Sequence, residues 1–139
     1  MTAKEYLLQI KDRRERIRVL IEEIEQLRTD AESVSISLDG MPRNQSGQSR
    51  FESLAIQLAE AESKLTAEMS DLWSQTMKAH ALIGEIPSAQ RQQILTKRYL
   101  KGQRWETIAY EMHMSWNNCF RVHGHALTDL EKILKDNNM

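Results

Sequence analysis

Residues 111–127 read EMHMSWNNCFRVHGHAL and gather the only cysteine of the chain and three of its four histidines between His113 and His125. This stretch can be a metal or nucleophile site, or a turn leading into a helix with two different faces. Ser115 favours the second, because a serine oxygen accepts well from the free N–H groups of a first helical turn. From Trp116 onward Cys119, Val122, Ala126, Leu127, Leu130, Ile133 and Leu134 recur at helical spacing. At about 100° per residue, Val122, His123, Ala126 and Leu130 fall within about 60° of Cys119, on a side that should face a core. Asn117, Arg121, Gly124 and Thr128 fall opposite, flanked by Asn118, Phe120 and His125.

The reactive side chains thus separate. Cys119 and His123 are an i, i+4 pair, which suits two metal ligands on a helix. His125, however, points about 120° away from Cys119. No second cysteine or well-spaced carboxylate completes a tetrahedral set. A nucleophile also needs an accessible pocket, whereas Cys119 occupies a core slot. The expectation is neither an enzyme nor a metal or cofactor protein.

Working upstream, Trp105, Ile108, Ala109 and Met112 mark a short helix that ends at the turn His113-Met114-Ser115. Two short helices separated by such a turn form the helix-turn-helix pattern. Another helix follows Pro87-Ser88, carries Ile94, Leu95, Tyr99 and Leu100, and stops at Gly102. Tyr99 and Trp105 read as core residues.

The N-terminal part has a different pattern. Thr2 and Glu5 form a capping box. Tyr6, Ile10, Ile17, Leu20, Ile24, Leu27, Ala31 and Val34 then alternate four- and three-residue steps, with Arg13 in the one polar slot. That is a coiled-coil seam, in which Arg13 should lower stability while helping to fix register or partner. Residues 35–49, SISLDGMPRNQSGQS, read as a polar connection because Gly40, Pro42 and Gly47 break the helix. A second capping box, Ser49 and Glu52, opens a seam through Phe51, Leu54, Leu58, Ala61, Leu65, Met69, Leu72, Thr76, Ala79 and Ile83. The steps Ala61–Leu65–Met69 interrupt its heptad as a stutter. Two long helices joined by one loop imply an antiparallel hairpin, ended by Gly84 and Pro87.

Composition agrees with this division. The 139 residues include two prolines and five glycines, which suits long helices rather than a turn-rich β fold. A single cysteine gives no internal disulfide, and no apolar run reaches the roughly 18 residues of a membrane span. The N-terminus mixes acids and bases and does not read as a signal peptide, so cytosol is the expected setting. Residues 1–87 carry 11 Lys and Arg against 15 Asp and Glu, while residues 88–139 carry 8 against 5. A mildly basic C-terminal part on an acidic stalk is compatible with phosphate contacts there.

The sequence IPSAQRQQILTKRYLKGQRWETIAYEMHMSWNNCFRVHGHALTDLEKIL resembles region 4 of bacterial sigma factors. The matching positions are Ile86-Pro87, Arg98-Tyr99 with Gly102, Ile108-Ala109, Ser115, and Ala126-Leu127 with Leu130. Together with MTAKEYL at the start, GMPR and a Ser/Gly-rich loop, the whole chain resembles a family of small phage and prophage proteins. These are sigma-like transcriptional regulators related to ArpU-type and RinA-type late-gene regulators, alongside phage proteins of unknown function. Two positions depart from the pattern. His113 stands in the turn where glycine is usual, and Arg104 stands where a capping Ser or Thr is usual.

What the resemblance implies is a phage-encoded regulator that binds double-stranded DNA through the helix at 116–124. On that helix Arg121 suits guanine, Asn117 or Asn118 suits adenine, and Phe120 suits a thymine methyl. Trp116 lies over sugar-phosphate or plugs the turn, and His125 borders the same face. Arg98, Lys101 and Arg104 are candidates for phosphate contact. The resulting expectation is an all-α protein: a coiled-coil hairpin over 1–84 that pairs protomers into a dimer or higher homo-oligomer, then a helix-turn-helix domain of three to four helices over 85–139. Two alternatives keep this fold: a small terminase-like DNA-packaging protein, and a sigma-like factor acting mainly by binding RNA polymerase.

Overall fold

The computed structural model describes residues 1–38 and 45–137, and the protein is all-α. Helix α1 spans Ala3–Leu38 and α2 spans Gln45–Ile83. Both bonds of the first capping box form: Glu5 N–H donates to Thr2 Oγ1 at 3.1 Å, and Thr2 N–H donates to Glu5 Oε2 at 3.2 Å. The connection between the helices is shorter than the sequence reading of 35–49. Ser35–Leu38 and Gln45–Ser49 are helical, so Ser49 lies inside α2 instead of capping it. Gly47 is tolerated there because a helical glycine costs only about 1 kcal/mol relative to alanine. Gly40 and Pro42, the other expected breakers, lie outside the described residues.

The chain divides into two compact units, Glu15–Asp71 and Met1–Arg14 with Leu72–Met139. Within the first unit Ile17, Leu20, Ile24 and Val34 of α1 are buried, and Leu54, Leu58, Ala61 and Leu65 of α2 are half-buried. Leu20 shares a groove with Lys64 and Glu68, Arg28 pairs with Glu62 at 2.8 Å, and Ala31 shares a groove with Phe51 and Leu58. Numbers rise along one helix as they fall along the other, so the helices run antiparallel here. Met69 departs from its expected seam position and is 52% exposed. The two successive four-residue steps at Ala61–Leu65–Met69 advance the seam by about 80°, which carries Met69 off the side facing α1.

The second unit is built around α3 (Ala89–Leu95), α4 (Trp105–Glu111) and α5 (Trp116–Asp136). Ser88 caps α3 by accepting from Arg91 N–H, and Gln92 Nε2 donates to Ile86 O at 2.6 Å, tying down the turn that leads in. The helix runs on through a π-helical turn, Thr96–Leu100, and ends at Gly102 with φ +70°. A side chain there would meet both an unfavourable backbone and the Arg14 side chain, since a Cβ would stand 3.4 Å from its Cδ.

The core of this unit crosses the boundary assigned from sequence at 84/85. Ala3, Leu7 and Ile10 of α1, with Ala79, Leu82 and Ile83 of α2, pack in one cluster with Ile94, Leu95, Tyr99, Ile108, Cys119, Val122, Ala126 and Leu130. The ends of the expected stalk are therefore part of the helix-turn-helix unit. Arg13, the polar residue of the α1 seam, donates from Nε to Gln75 Oε1 at 2.8 Å.

Candidate nucleic-acid interface

The turn between α4 and α5 sets the angle of everything that follows. Helix α4 closes with two bonds, His113 N–H to Tyr110 O and Met114 N–H to Ala109 O. This is the Schellman arrangement, which needs a left-handed residue just past the helix. His113 supplies it at φ 53°, the only non-glycine with positive φ among the described residues. Helix α5 then opens on Ser115, whose Oγ accepts from Asn118 N–H at 3.2 Å.

On α5 the two sides separate as the helical spacing requires. Cys119, Val122, Ala126, Leu130 and Leu134 are buried. Asn117, Arg121, Gly124, His125 and Thr128 are exposed, and Asn118 is half-buried. A Cβ added at Gly124 would meet nothing within 4 Å, so this stretch of backbone lies open.

The aromatic members of the face are more engaged than sequence indicates. Phe120 meets Trp105 edge-on at 5.0 Å and Trp116 at 6.0 Å between ring centroids, and is still 44% exposed. Trp116 is 48% exposed. Behind them the Arg98 guanidinium sits 4.9 Å over the Trp105 ring and donates to Gln103 O. Such a cation over an indole gains from the ring quadrupole. Arg98 therefore supports the aromatic cluster rather than standing free at the surface.

His123 anchors the cluster from below. Its Nε2 lies 2.7 Å from the Tyr99 hydroxyl, and its ring meets Trp105 edge-on at 4.8 Å. Burial, with the charges of Lys4 and Arg98 nearby, pushes its pKa down to about 4, so the imidazole is neutral at pH 7. Burial likewise raises the Tyr99 phenol and the Cys119 thiol. A buried thiol with a raised pKa holds little thiolate, the form that reacts. Among the described residues no group of three His, Cys, Asp or Glu side chains is placed to hold a metal ion.

The polar candidates fall into two groups. Arg121 and Asn118 are joined directly, with Nη2 donating to Oδ1 at 2.6 Å. Lys101 and Arg104 belong to the loop before α4, and both are exposed. Lys101 is the C-cap of the π-helical turn, and Arg104 holds the N-cap position of α4 with no side-chain cap bond. Tyr110, absent from the sequence-based candidates, is 83% exposed on α4. Its signal was present: the apolar positions Trp105, Ile108, Ala109 and Met112 leave it on the outer side.

No protein-family model, curated protein or solved structure matches the chain.

Proposed function

We propose that the protein is a phage-encoded transcriptional regulator acting in the bacterial cytoplasm, which reads double-stranded DNA with the segment Trp116–Gly124 of α5. The observation that carries this reading is the two-sided surface of α5. Its inner side is committed to the core, while Asn117, Arg121 and His125 face outward beside the half-exposed Phe120 and Trp116. These are residue types that hydrogen-bond base edges and contact thymine methyls in a major groove. Lys101 and Arg104, in the loop before α4, have the chemistry for phosphate contacts that orient the motif.

The sigma-region-4 resemblance supports the same conclusion, and the left-handed turn at His113 accords with it. Pairing of protomers through residues 1–84 would set half-site spacing at about one helical turn of DNA or a multiple. The exposed Trp73 and Met77 on α2 offer apolar surface for such pairing, or for a protein partner such as RNA polymerase, which is the second reading.

Selection from a random-sequence duplex pool tests the proposal. Enrichment of one sequence, with affinity falling steeply as salt rises, is the expected result. Enrichment of nothing, alongside stable association with RNA polymerase, supports the second reading instead.

A further inference from the structure

Asn118 and Arg121 occupy adjacent positions on the α5 surface, three residues apart, and share a 2.6 Å hydrogen bond. Only the oxygen end of a carboxamide can face a guanidinium, because the amide nitrogen and the guanidinium nitrogens are all donors. The contact therefore fixes the orientation of the amide as well as the place of the arginine. Asn118 is held in turn, since its backbone N–H donates to the Ser115 cap at 3.2 Å. A chain of bonds thus runs from the helix cap to the guanidinium.

We infer that Asn118 is a positioning residue for Arg121, and that the pair commits this part of the reading surface to guanine. The inference rests on the duplex-reading proposal above. A guanidinium has five N–H donors; with one used on Asn118, those remaining suffice for the two-bond contact with N7 and O6 of guanine. Holding a long side chain in place beforehand reduces the entropy lost when it binds. An adenine contact by Asn118 needs the same oxygen to accept from the adenine amino group through its second lone pair while the first still holds Arg121. The positioning role takes the place of the adenine contact expected of Asn118 from sequence.

The experiment uses the full-length protein and the duplex it enriches from a random pool, with each guanine replaced in turn by 7-deazaguanine, which lacks the N7 acceptor. One guanine should be sensitive in the parent. Arg121→Ala should abolish that sensitivity, and Asn118→Ala should reduce it about threefold to tenfold. The double variant should be no worse than Arg121→Ala, because both act through one contact. Asn118→Asp keeps an acceptor for the guanidinium and should retain the sensitivity. Circular dichroism at matched concentration confirms that each variant is folded. If Asn118→Ala relaxes an adenine position and leaves the guanine sensitivity intact, or if the two effects multiply, the positioning role is overturned while the reading face stands. If no sequence enriches at all, the duplex-reading proposal falls and this inference with it.

Discussion

Ala3 N–H donates to Glu131 Oε2 at 2.7 Å, so a carboxylate on α5 caps the first turn of α1. The bond joins residues 128 positions apart and sits beside the fully buried Ala3 side chain. A carboxylate at a helix N-terminus satisfies a free N–H and meets the favourable end of the helix dipole. Replacing it with Glu131→Ala should lower stability by about 1–2 kcal/mol, seen as a reduced urea midpoint. Removing residues 1–14 should be far more severe, because Leu7 and Ile10 leave the core with them. A truncated chain that unfolds at the parent's midpoint would refute the shared core.

The burial of His123, with Lys4 and Arg98 nearby, gives stability a pH dependence. The imidazole titrates near 6.5 when unfolded and near 4 when folded, so the native state resists protonation. Stability is complete above about pH 6.5 and falls as pH drops toward about 4, where the unfolded chain binds a proton that the native chain refuses. The loss stays below about 3 kcal/mol, because solvent reaching the partly exposed ring screens part of a shift of this size. His123→Phe should flatten the acid limb of urea midpoint against pH, relative to the parent. An unchanged slope would assign that limb to other groups.

Much of this arrangement is readable from the residues alone, for reasons that are local. Thr2 with Glu5, and Ser115, follow capping chemistry that needs only a few neighbours, and the apolar spacing of α5 fixes which side faces inward. The place of the turn at residues 113–115 follows from where the helices on either side must stop, whereas the left-handed backbone of His113 shows only in the structure. Other features depend on residues far apart in sequence. Nothing near Ala3, Leu7 and Ile10 signals that they join the core of α3–α5, since a heptad seam looks the same whichever element covers it. The π-helical turn that brings Arg98 to Trp105, and the packing of Phe120 between two tryptophans, likewise arise only once the elements meet.

His113 holds a left-handed backbone that costs a non-glycine residue about 1–2 kcal/mol. His113→Gly removes that strain, offset by glycine's greater freedom in the unfolded chain, worth about 0.5–1 kcal/mol. The variant should be more stable by roughly 0.5–1 kcal/mol, the difference between those two terms. His113→Val, β-branched at the same φ, should be less stable than the parent. Thermal unfolding of the three chains checks the order, and a valine variant as stable as the glycine one would contradict the left-handed turn.

Arg104 occupies an N-cap without making a cap bond, a position where serine is worth about 0.5–2 kcal/mol more than a non-capping residue. Arg104→Ser should therefore raise the unfolding midpoint. If Arg104 contacts a phosphate, the same variant should weaken DNA binding uniformly across sequences and lower the salt slope by about one. Gained stability with an unaltered salt slope would remove Arg104 from the interface.

If the outward side of α5 reads base sequence, Arg121→Ala should show it. The measurement is the affinity ratio between the enriched duplex and a scrambled one, for the parent and the variant at the same salt concentration. Arg121 is exposed and bonds to the neighbouring Asn118 on the helix surface, so the fold should survive its loss. The variant should keep the parent's helical content and unfolding midpoint while its discrimination falls by about 1–3 kcal/mol. A variant that distinguishes the two duplexes as well as the parent does would contradict the assignment of the reading face.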